Sequence, residues 1–334
     1  MANYKELEGF GVQTLATDPD SPGWIGSIFY NSTSGTFKTV KPGGLPAGTW
    51  ASGGNRPTGV QGGTGFGSGS TSGLAATGNL FPTGGVTVDV QTYDGSSWTE
   101  VGNVNTARKY LAASGGSPQT AGIVFGGGLN PGPGTRYTNA ELWNGSAWTE
   151  TGDLNTARDN IRGAGASSTA ALAFGGFPSP TGQTESWNGT SWTEVNDLNT
   201  AKGNGAGFGT STNAIAAGND TPAPSGETEY WNGTSWTEVN DLNTARSYQF
   251  GFGISTSGIV AGGNPDPIAQ TEFWNGTSWT EVADLGSARW AGNYQNGSSG
   301  TNGLVSGGIP GAPLTTATEE WTVPDVVINT LTTS

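Results

Sequence analysis

One phrase recurs along this chain and constrains its fold more than any other feature. Its clearest copies read W-N-G-T-S-W-T-E-V-x-D-L-N-T-A-R/K. The copies span residues 93–108, 143–158, 187–202, 231–246 and 274–289, and a truncated sixth copy ends at Trp321. The second aromatic position holds Trp98, Trp148, Trp192, Trp236 and Trp279, at spacings of 50, 44, 44 and 43 residues. Such a period is typical of an array of small units that bury their apolar faces only by stacking.

Each repeat divides into four short strands, which we call a to d. Strand a follows the basic residue that ends the phrase, and strand b is a small apolar segment ending in glycine, such as 170–176. Strands c and d carry T-E-x-W and W-T-E-V. The Asn-Gly pair between them favours a tight hairpin, because both residues tolerate positive φ. Since no helical period occurs anywhere, the chain is predicted to be all-β.

The repeats resemble the kelch repeat. A double glycine closes strand b, an aromatic residue lies on strand c, and a tryptophan follows five or six residues later on strand d. The resemblance covers about residues 47–323 and implies a β-propeller with four antiparallel strands per blade around a channel, but no particular activity. The residue types agree with it, since glycine and alanine suit crowded inner strands and tryptophan fills the wider gaps between outer strands.

The strand pattern predicts six blades and a closed ring. The sixth repeat has segments for strands a, b and c between Arg289 and Val323, but it lacks W-T-E-V. Residues 49–56, T-W-A-S-G-G-N-R, resemble a shortened copy of the missing strand and its loop. We therefore expect Trp50 to complete the last blade, which would remove the free sheet edges.

The two ends of the chain do not fit the blade pattern. Residues 1–46 are assigned to an N-terminal segment, 47–323 to the propeller and 324–334 to a C-terminal strand or tail. Residues 23–40 predict a β-hairpin with its turn at 31–35. Its sequence Y-N-S-T-S-G-T-F-K, which contains Tyr30, Asn31 and Phe37, resembles a hairpin of bacteriophage fibre and other virion proteins. Together with the repeats, it makes the chain similar to kelch-like virion proteins of marine tailed phages, which implies a small attachment module.

Composition limits the chemistry that this chain can perform. It contains no Cys and no His, which excludes thiolate nucleophiles, His-dependent catalysis and metal sites built from Cys or His. The 12 Lys and Arg residues are scattered and the formal net charge is −14, so a nucleic-acid partner is not expected. No apolar run is long enough to span a membrane, and the N-terminus lacks the pattern of a signal peptide. We expect no cofactor, no membrane insertion and synthesis in the host cytoplasm.

The repeated residues have structural explanations. Ten of the 13 Trp residues lie at strand c or d positions, where packing accounts for them, whereas Trp24 and Trp290 lie off the repeat and are better candidates for exposure. The basic residue before strand a is expected to pair with a loop or strand-c carboxylate; the alternative is a channel lining that holds an anion. These residues are Arg108, Arg158, Lys202, Arg246 and Arg289. The recurring Asp and Glu residues are expected to lie on a solvated rim and to bond loops, because their dispersal around the ring does not suit a calcium site.

Three functions are compatible with these observations. The leading expectation is a non-enzymatic virion structural protein of a fibre, tail or head decoration, in a multimeric assembly with other virion proteins. The first alternative is a glycan-binding propeller that contacts the host surface through the b–c loops 129–136, 177–181, 220–226 and 264–268, which differ while the strands do not. The second is a glycoside hydrolase, which needs two acids roughly 5–9 Å apart. The regular repetition of the acids favours a scaffold or binding role over catalysis.

Overall fold

The computed structural model describes residues 12–43, 47–80, 85–129, 135–291, 298–310 and 314–331. Contacts along the backbone divide the chain into two compact units. The repeat unit is Thr49–Thr322, and the terminal unit combines Met1–Gly48 with Val323–Ser334. Apart from one 3₁₀ turn at Pro22–Trp24, the regular elements of the described residues are strands, which confirms the all-β prediction. No helix within the described ranges is long and apolar enough to cross a membrane.

The terminal unit contains one four-stranded sheet, which we call the terminal sheet. With strands numbered along the chain, it consists of β1 (Gln13–Leu15), β2 (Ile28–Asn31), β3 (Thr36–Pro42) and β27 (Val326–Thr330). The predicted hairpin is formed by β2 and β3, and β1 pairs with β2 in parallel. Strand β27 pairs with the other edge of β3, so residues Val326–Thr330 belong to the terminal sheet. This pairing satisfies the backbone groups along that edge.

Six sheets lie in the described part of the repeat unit, and five of them have four antiparallel strands. Sheet 1 contains β5 (Thr64–Gly69), β6 (Ser72–Leu80), β7 (Gly85–Tyr93) and β8 (Trp98–Val101). Sheet 2 contains β9 (Ala112–Ala113), β10 (Gly122–Phe125), β11 (Ala140–Trp143) and β12 (Trp148–Glu150). Sheet 3 contains β13 (Arg162–Ser167), β14 (Ala170–Phe174), β15 (Thr184–Trp187) and β16 (Trp192–Val195). Sheet 4 contains β17 (Ala206–Gly209), β18 (Ala214–Asn219), β19 (Ser225–Trp231) and β20 (Trp236–Val239), and sheet 5 contains β21 (Phe250–Ile254), β22 (Ser257–Ala261), β23 (Thr271–Trp274) and β24 (Trp279–Val282).

Sheet 6 combines distant parts of the chain. Its order is β25 (Asn302–Ser306), β26 (Thr318–Thr322) and β4 (Thr49–Ser52), and Trp50 lies opposite Trp321 in the antiparallel pair. The predicted first strand of this repeat includes residues 292–297, which lie outside the described residues. The described residues therefore form seven sheets where the sequence predicts six blades, and the additional one is the terminal sheet.

The apolar cores of the repeat unit lie between neighbouring sheets. In sheet 3, Trp187 and Trp192 face each other across strands c and d with ring centroids 5.4 Å apart. Phe125 of sheet 2 reaches the second of these rings at 4.7 Å in an edge-to-face contact. The ten tryptophans at the repeat positions are at most 8% exposed, so packing between sheets accounts for them.

Glycine at the start of strand b makes this close packing possible. A Cβ atom on Gly258 would overlap the ring of Phe208, and one on Gly303 would overlap the ring of Phe252. Each phenylalanine belongs to the preceding sheet and lies over the glycine of the next one. The high glycine content is thus a packing requirement at these positions.

Candidate functional site

The basic residue that ends each repeated phrase is buried against a carboxylate of strand c. Arg158 Nη2 lies 2.7 Å from Oε1 of Glu185, and Arg246 Nη2 lies 2.6 Å from Oε1 of Glu272. The five pairs are Arg108–Glu141, Arg158–Glu185, Lys202–Glu229, Arg246–Glu272 and Arg289–Glu319. Of the two roles considered for these cations, the structural pair is the one that the geometry supports, because the cations and their carboxylates are buried together.

The loop before each basic residue encloses the same carboxylate. Oε2 of Glu185 accepts hydrogen bonds from the backbone N–H of Asn155 at 2.7 Å and from its side-chain Nδ2 at 2.8 Å. Arg158 Nη1 donates to the carbonyl oxygens of Gly175 and Gln183 at 3.0 and 2.7 Å. Asn105, Asn199 and Asn243 repeat the asparagine contacts. The L-N-T-A-R part of the phrase therefore links strand d of one sheet to strand c of the next.

Burial has a direct effect on these guanidinium groups. Desolvation lowers the pKa of Arg108, Arg158, Arg246 and Arg289, and the paired glutamate acts in the opposite direction in each case. Arginine remains charged despite such shifts. Each pair is thus a buried charge that depends on its partner, which makes the loss of either side chain costly.

Sheet 1 departs from this pattern. Its strand-c position holds Gln91, and Arg56 Nε donates to Oε1 of this amide at 3.0 Å. Burial lowers the pKa of Arg56 to about 10, with Asp89 acting in the opposite direction. The guanidinium carbon also lies 5.4 Å from the ring centroid of Trp98. A buried cation therefore meets a neutral amide at the position where the other sheets have a carboxylate.

The remaining repeated acids occupy two environments. The strand-d glutamates are exposed, as expected for a solvated rim: Glu100, Glu150, Glu194, Glu238 and Glu281. Loop aspartates bond the backbone, as in Asp197 Oδ1, which accepts from the N–H of Thr184 at 3.2 Å. The rim expectation is wrong for the strand-c glutamates, which are buried because they meet the repeat cations. Within the described ranges, no group of three or more Asp, Glu, Cys or His residues could hold a metal ion.

A second recurring feature lies two residues before the first strand of sheets 1 to 5, and again at Ala291. Six residues, which we call the hub, have left-handed backbones with φ between +50° and +63°: Gly62, Tyr110, Asn160, Asn204, Tyr248 and Ala291. Their backbones bond from sheet to sheet. The N–H of Gly62 donates to the carbonyl of Ala291 at 2.7 Å, and that of Tyr248 donates to Asn204 at 2.6 Å. Non-glycine residues rarely adopt this conformation, and such strain clusters at functional sites.

The repeats also differ at the hub. The residue before each hub position is Lys109, Asp159, Gly203, Ser247 or Trp290 in sheets 2 to 6, although the preceding cation and the strands follow the repeat. Tyr110, Tyr248 and Trp290 are half-buried, and the rings of the last two pack edge to face with centroids 5.2 Å apart. Sequence reasoning singled out Trp290 but not the hub. The hub could be found only from the residues that vary directly after the repeated cation.

Three of the loops predicted for recognition begin beside the hub. Asp159 forms a β-bridge with Phe177 and Ser247 forms one with Asn264, and Asn204 Nδ2 donates a hydrogen bond to Asp220 at 2.6 Å. The fourth loop, 129–136, includes residues 130–134, which lie outside the described residues. Varied loops and varied hub residues therefore occupy neighbouring positions on the same scaffold.

The inner strands below the hub leave little space. Thr64, Ala113, Arg162 and Gly207 line a cavity of about 20 Å³. This volume is on the order of that needed for a single water molecule. This cavity is therefore too small to hold a sugar-sized ligand between the inner strands.

The terminal sheet has two different faces. One packs buried Phe29 and Val40 against Trp24, so Trp24 contributes to a small core. On the other face, Ile28 and Phe37 are 52% and 49% exposed, and the ring of Tyr30 lies 5.2 Å from that of Phe37. Asn31 Oδ1 accepts from the backbone N–H groups of Thr33 and Ser34, which fixes the hairpin turn. An apolar face of this kind is typical of a contact surface.

Comparisons with known proteins identify the fold but no family. No protein-family model matches the chain. No curated protein matches it. The solved structure titled "Structure of YjhT" is 13% identical, covers 82% of this chain and is itself covered to 99%, with a TM-score of 0.65. At this identity the similarity shows the fold alone, and the fold of four-stranded antiparallel sheets fits a β-propeller.

Proposed function

We propose that this chain is a non-enzymatic structural protein of a bacteriophage particle, in a fibre, tail or head decoration. In this proposal the terminal unit attaches the chain to other virion proteins and the repeat unit is displayed. The observation that carries it is the location of exposed apolar side chains. Five of the six large ones found among the described residues belong to the terminal unit: Val12, Ile25, Ile28, Phe37 and Leu331.

Charge supports the same division. The repeat unit has nine Lys and Arg residues against 21 Asp and Glu residues, a formal charge of −12, whereas the terminal unit has a formal charge of −2. The five Arg and Lys partners of strand-c glutamates are buried, so carboxylates dominate the surface of the repeat unit. Such a surface keeps displayed copies soluble and apart, while the less charged terminal unit can form contacts.

The proposed display element is a six-bladed, kelch-like propeller closed by the strand that contains Trp50. Three contacts support closure. Trp50 pairs with Trp321 and its Nε1 donates to Oγ1 of Thr271 at 3.1 Å, as Trp236 Nε1 does to Thr184 at 3.1 Å one sheet apart. The hub bond from Gly62 to Ala291 joins sheet 1 to the beginning of the sixth repeat.

Mass spectrometry of purified virions tests the proposal. We expect the chain at a fixed stoichiometry with the structural proteins, and its absence would refute the virion role. Phe37→Asp should lower incorporation into particles, because it places a charge on the apolar face. Ile254→Asp is the matched control, since Ile254 is a 38% exposed apolar residue of the repeat unit. Equal incorporation of both variants would locate the attachment surface elsewhere.

A second candidate function is glycan binding at the hub and its loops. Half-buried aromatic residues with varied loops on a rigid scaffold favour it. A glycan array probed with the full chain, together with binding to host cells, tests this function. Silence in both assays would count against it without affecting the virion proposal.

A further inference from the structure

We propose that the hub binds a sugar that carries a carboxylate, and that Lys109 and Arg136 provide the positive charge which selects it. This inference rests on the second candidate function, glycan binding, and names the chemical class of its ligand. It starts from the cations that do not follow the repeat.

The off-repeat cations of the repeat unit are confined to sheets 2 and 3. Six of its nine Lys and Arg residues occupy the repeated position before strand a or its counterpart, Arg56. The other three are Lys109, Arg136 and Arg162. In a unit of formal charge −12, three cations outside the repeat that fall on two adjacent sheets mark a local departure from the scaffold.

Two of these cations lie near one carboxylate, and one of them is paired with it. Arg136 Nε lies 2.8 Å from Oδ1 of Asp159, which is 2% exposed. Lys109 reaches the same neighbourhood because both Lys109 and Arg136 form β-bridges with Gly128. The electrostatic effect of Asp159 on Lys109 opposes the lowering of the lysine pKa by burial. Two cations around one anion leave a surplus positive charge close to the hub.

The ammonium group of Lys109 is the part of this cluster with donors to offer. The residue is 7% exposed, and its Nζ lies 5.5 Å from the centroid of the Tyr110 ring. Among the described residues it forms no ion pair and donates no side-chain hydrogen bond. Since no carboxylate of the described residues lies within ion-pair distance of this ammonium group, an anionic group on a ligand would stabilise it.

The hub asparagines indicate that the ligand must also carry hydrogen-bond donors. Asn160 and Asn204 are 8% and 2% exposed, and the Oδ1 atom of each accepts no hydrogen bond from the described residues. The amide of Asn204 is oriented by its Nδ2, which donates to Asp220 at 2.6 Å. These oxygens need donors, and sugar hydroxyl groups are donors of the right kind. The aromatic rings of Tyr248 and Trp290 offer apolar surface to the sugar ring.

The ligand that meets these conditions has a carboxylate for Lys109, hydroxyl groups for the asparagine oxygens and an apolar face for the aromatic rings. Uronic-acid sugars combine all three. A neutral sugar lacks the carboxylate, and a simple carboxylate lacks the hydroxyl groups and the apolar face. Binding experiments can therefore separate uronic acids, neutral sugars and simple carboxylates.

Isothermal titration calorimetry of the full chain with glucuronate, glucose and acetate tests the proposal. We expect glucuronate to bind at least about tenfold more tightly than either of the others. Lys109→Gln and Lys109→Met should weaken glucuronate about tenfold, which is the loss of one charge-assisted hydrogen bond, and should leave glucose unchanged. Asn204→Gly retains the left-handed backbone and should weaken both sugars alike.

Lys41→Gln, a substitution of an exposed residue on β3 of the terminal unit, is the matched control and should change nothing. The proposal is overturned if glucuronate binds no more tightly than glucose, or if both Lys109 variants remain folded and bind glucuronate like the parent. Sugar binding that depends on Asn204 but not on Lys109 would retain glycan binding and reject acid selectivity. Failure of glucuronate and glucose to bind at all would reject both.

Discussion

Tyr93 Oη donates a hydrogen bond to Oε1 of Glu320 at 2.5 Å and accepts one from the backbone N–H of Gly54 at 3.0 Å. Tyr93 belongs to sheet 1 and Glu320 to sheet 6, so the bond joins the first and last sheets of the repeat unit. The other repeats have tryptophan at the position of Tyr93. Tyrosine at this position therefore places a phenol, in place of an indole, within reach of the Glu320 carboxylate on the last sheet.

Tyr93→Phe should therefore lower the free energy of unfolding by about 1–2 kcal/mol, because the hydrogen bond to a charged acceptor is lost at a buried position. Urea denaturation of the full chain measures this. Tyr230→Phe is the matched control, since Tyr230 occupies the equivalent strand and its Oη bonds Asn213 in an exposed setting at 2.7 Å. If Tyr230→Phe lowers the free energy of unfolding as much as Tyr93→Phe does, the contact between sheets 1 and 6 has no special role.

The same tyrosine predicts a loss of stability in alkaline solution. Burial, and then the hydrogen bond to Glu320, raise the pKa of Tyr93 to about 12. Because the folded state holds the phenolic proton more tightly, its contribution is complete below pH 10 and is lost as the pH rises from 10 through 12. The stability difference between the parent and Tyr93→Phe, measured by urea denaturation, should shrink across this range. A constant difference would show that Tyr93 titrates normally.

The Arg–Glu pairs predict a strong effect of removing one partner. Arg246→Ala leaves Glu272 buried without its cation and should cost about 3–5 kcal/mol. Adding Glu272→Gln removes that charge and should recover part of the loss. Glu281→Ala, on the exposed strand opposite Glu272, is the control and should change stability by less than about 0.5 kcal/mol. Thermal melts of the three variants measure these differences in stability. An unchanged melting temperature in Arg246→Ala would show that the pair is dispensable.

Sequence reasoning reached the features that repeat and missed those that do not. The tryptophans and the basic residues before strand a occur in near-identical contexts, so their packing and pairing could be inferred from one another. Tyr93 and Glu320 are single residues in repeats far apart in the chain, and no local pattern indicates their contact. The pairing of β27 with β3 is equally non-local, since a short polar-apolar strand specifies neither its partner nor its register.

The hub was missed for a different reason. Left-handed backbones are usually indicated by glycine or asparagine, but Tyr110, Tyr248 and Ala291 share this conformation with Asn160. Hydrogen bonds between adjacent sheets stabilise it, and these depend on the assembled structure. Only the contrast between varied residues and the unvaried cation beside them could have indicated the site from sequence.

Gln91→Glu should stabilise the repeat unit. It restores in sheet 1 the carboxylate that the other sheets place against their cation, and Arg56 Nε already contacts Oε1 of Gln91. Since the guanidinium is buried in either case, we expect a gain of about 1 kcal/mol from the charge-assisted bond. Gln13→Glu, on the terminal sheet, is the control. A lower melting temperature for Gln91→Glu would mean that desolvation of the new carboxylate exceeds its attraction to Arg56.

The proposed closure of the ring depends on the packing of Trp50. Its ring lies 5.3 Å from Trp321 and 6.2 Å from Phe252, and its Nε1 bonds Thr271. Trp50→Ala removes these contacts with two sheets, so it should lower the free energy of unfolding by about 3 kcal/mol and destabilise the repeat unit as a whole. Trp24→Ala is the control, because its small core lies in the terminal unit and its loss should leave the unfolding of the repeat unit unchanged. Hydrogen exchange of β25 and β26 resolves the two cases: faster exchange there in Trp50→Ala alone supports closure by this strand, whereas unchanged exchange shows that sheet 6 does not need it.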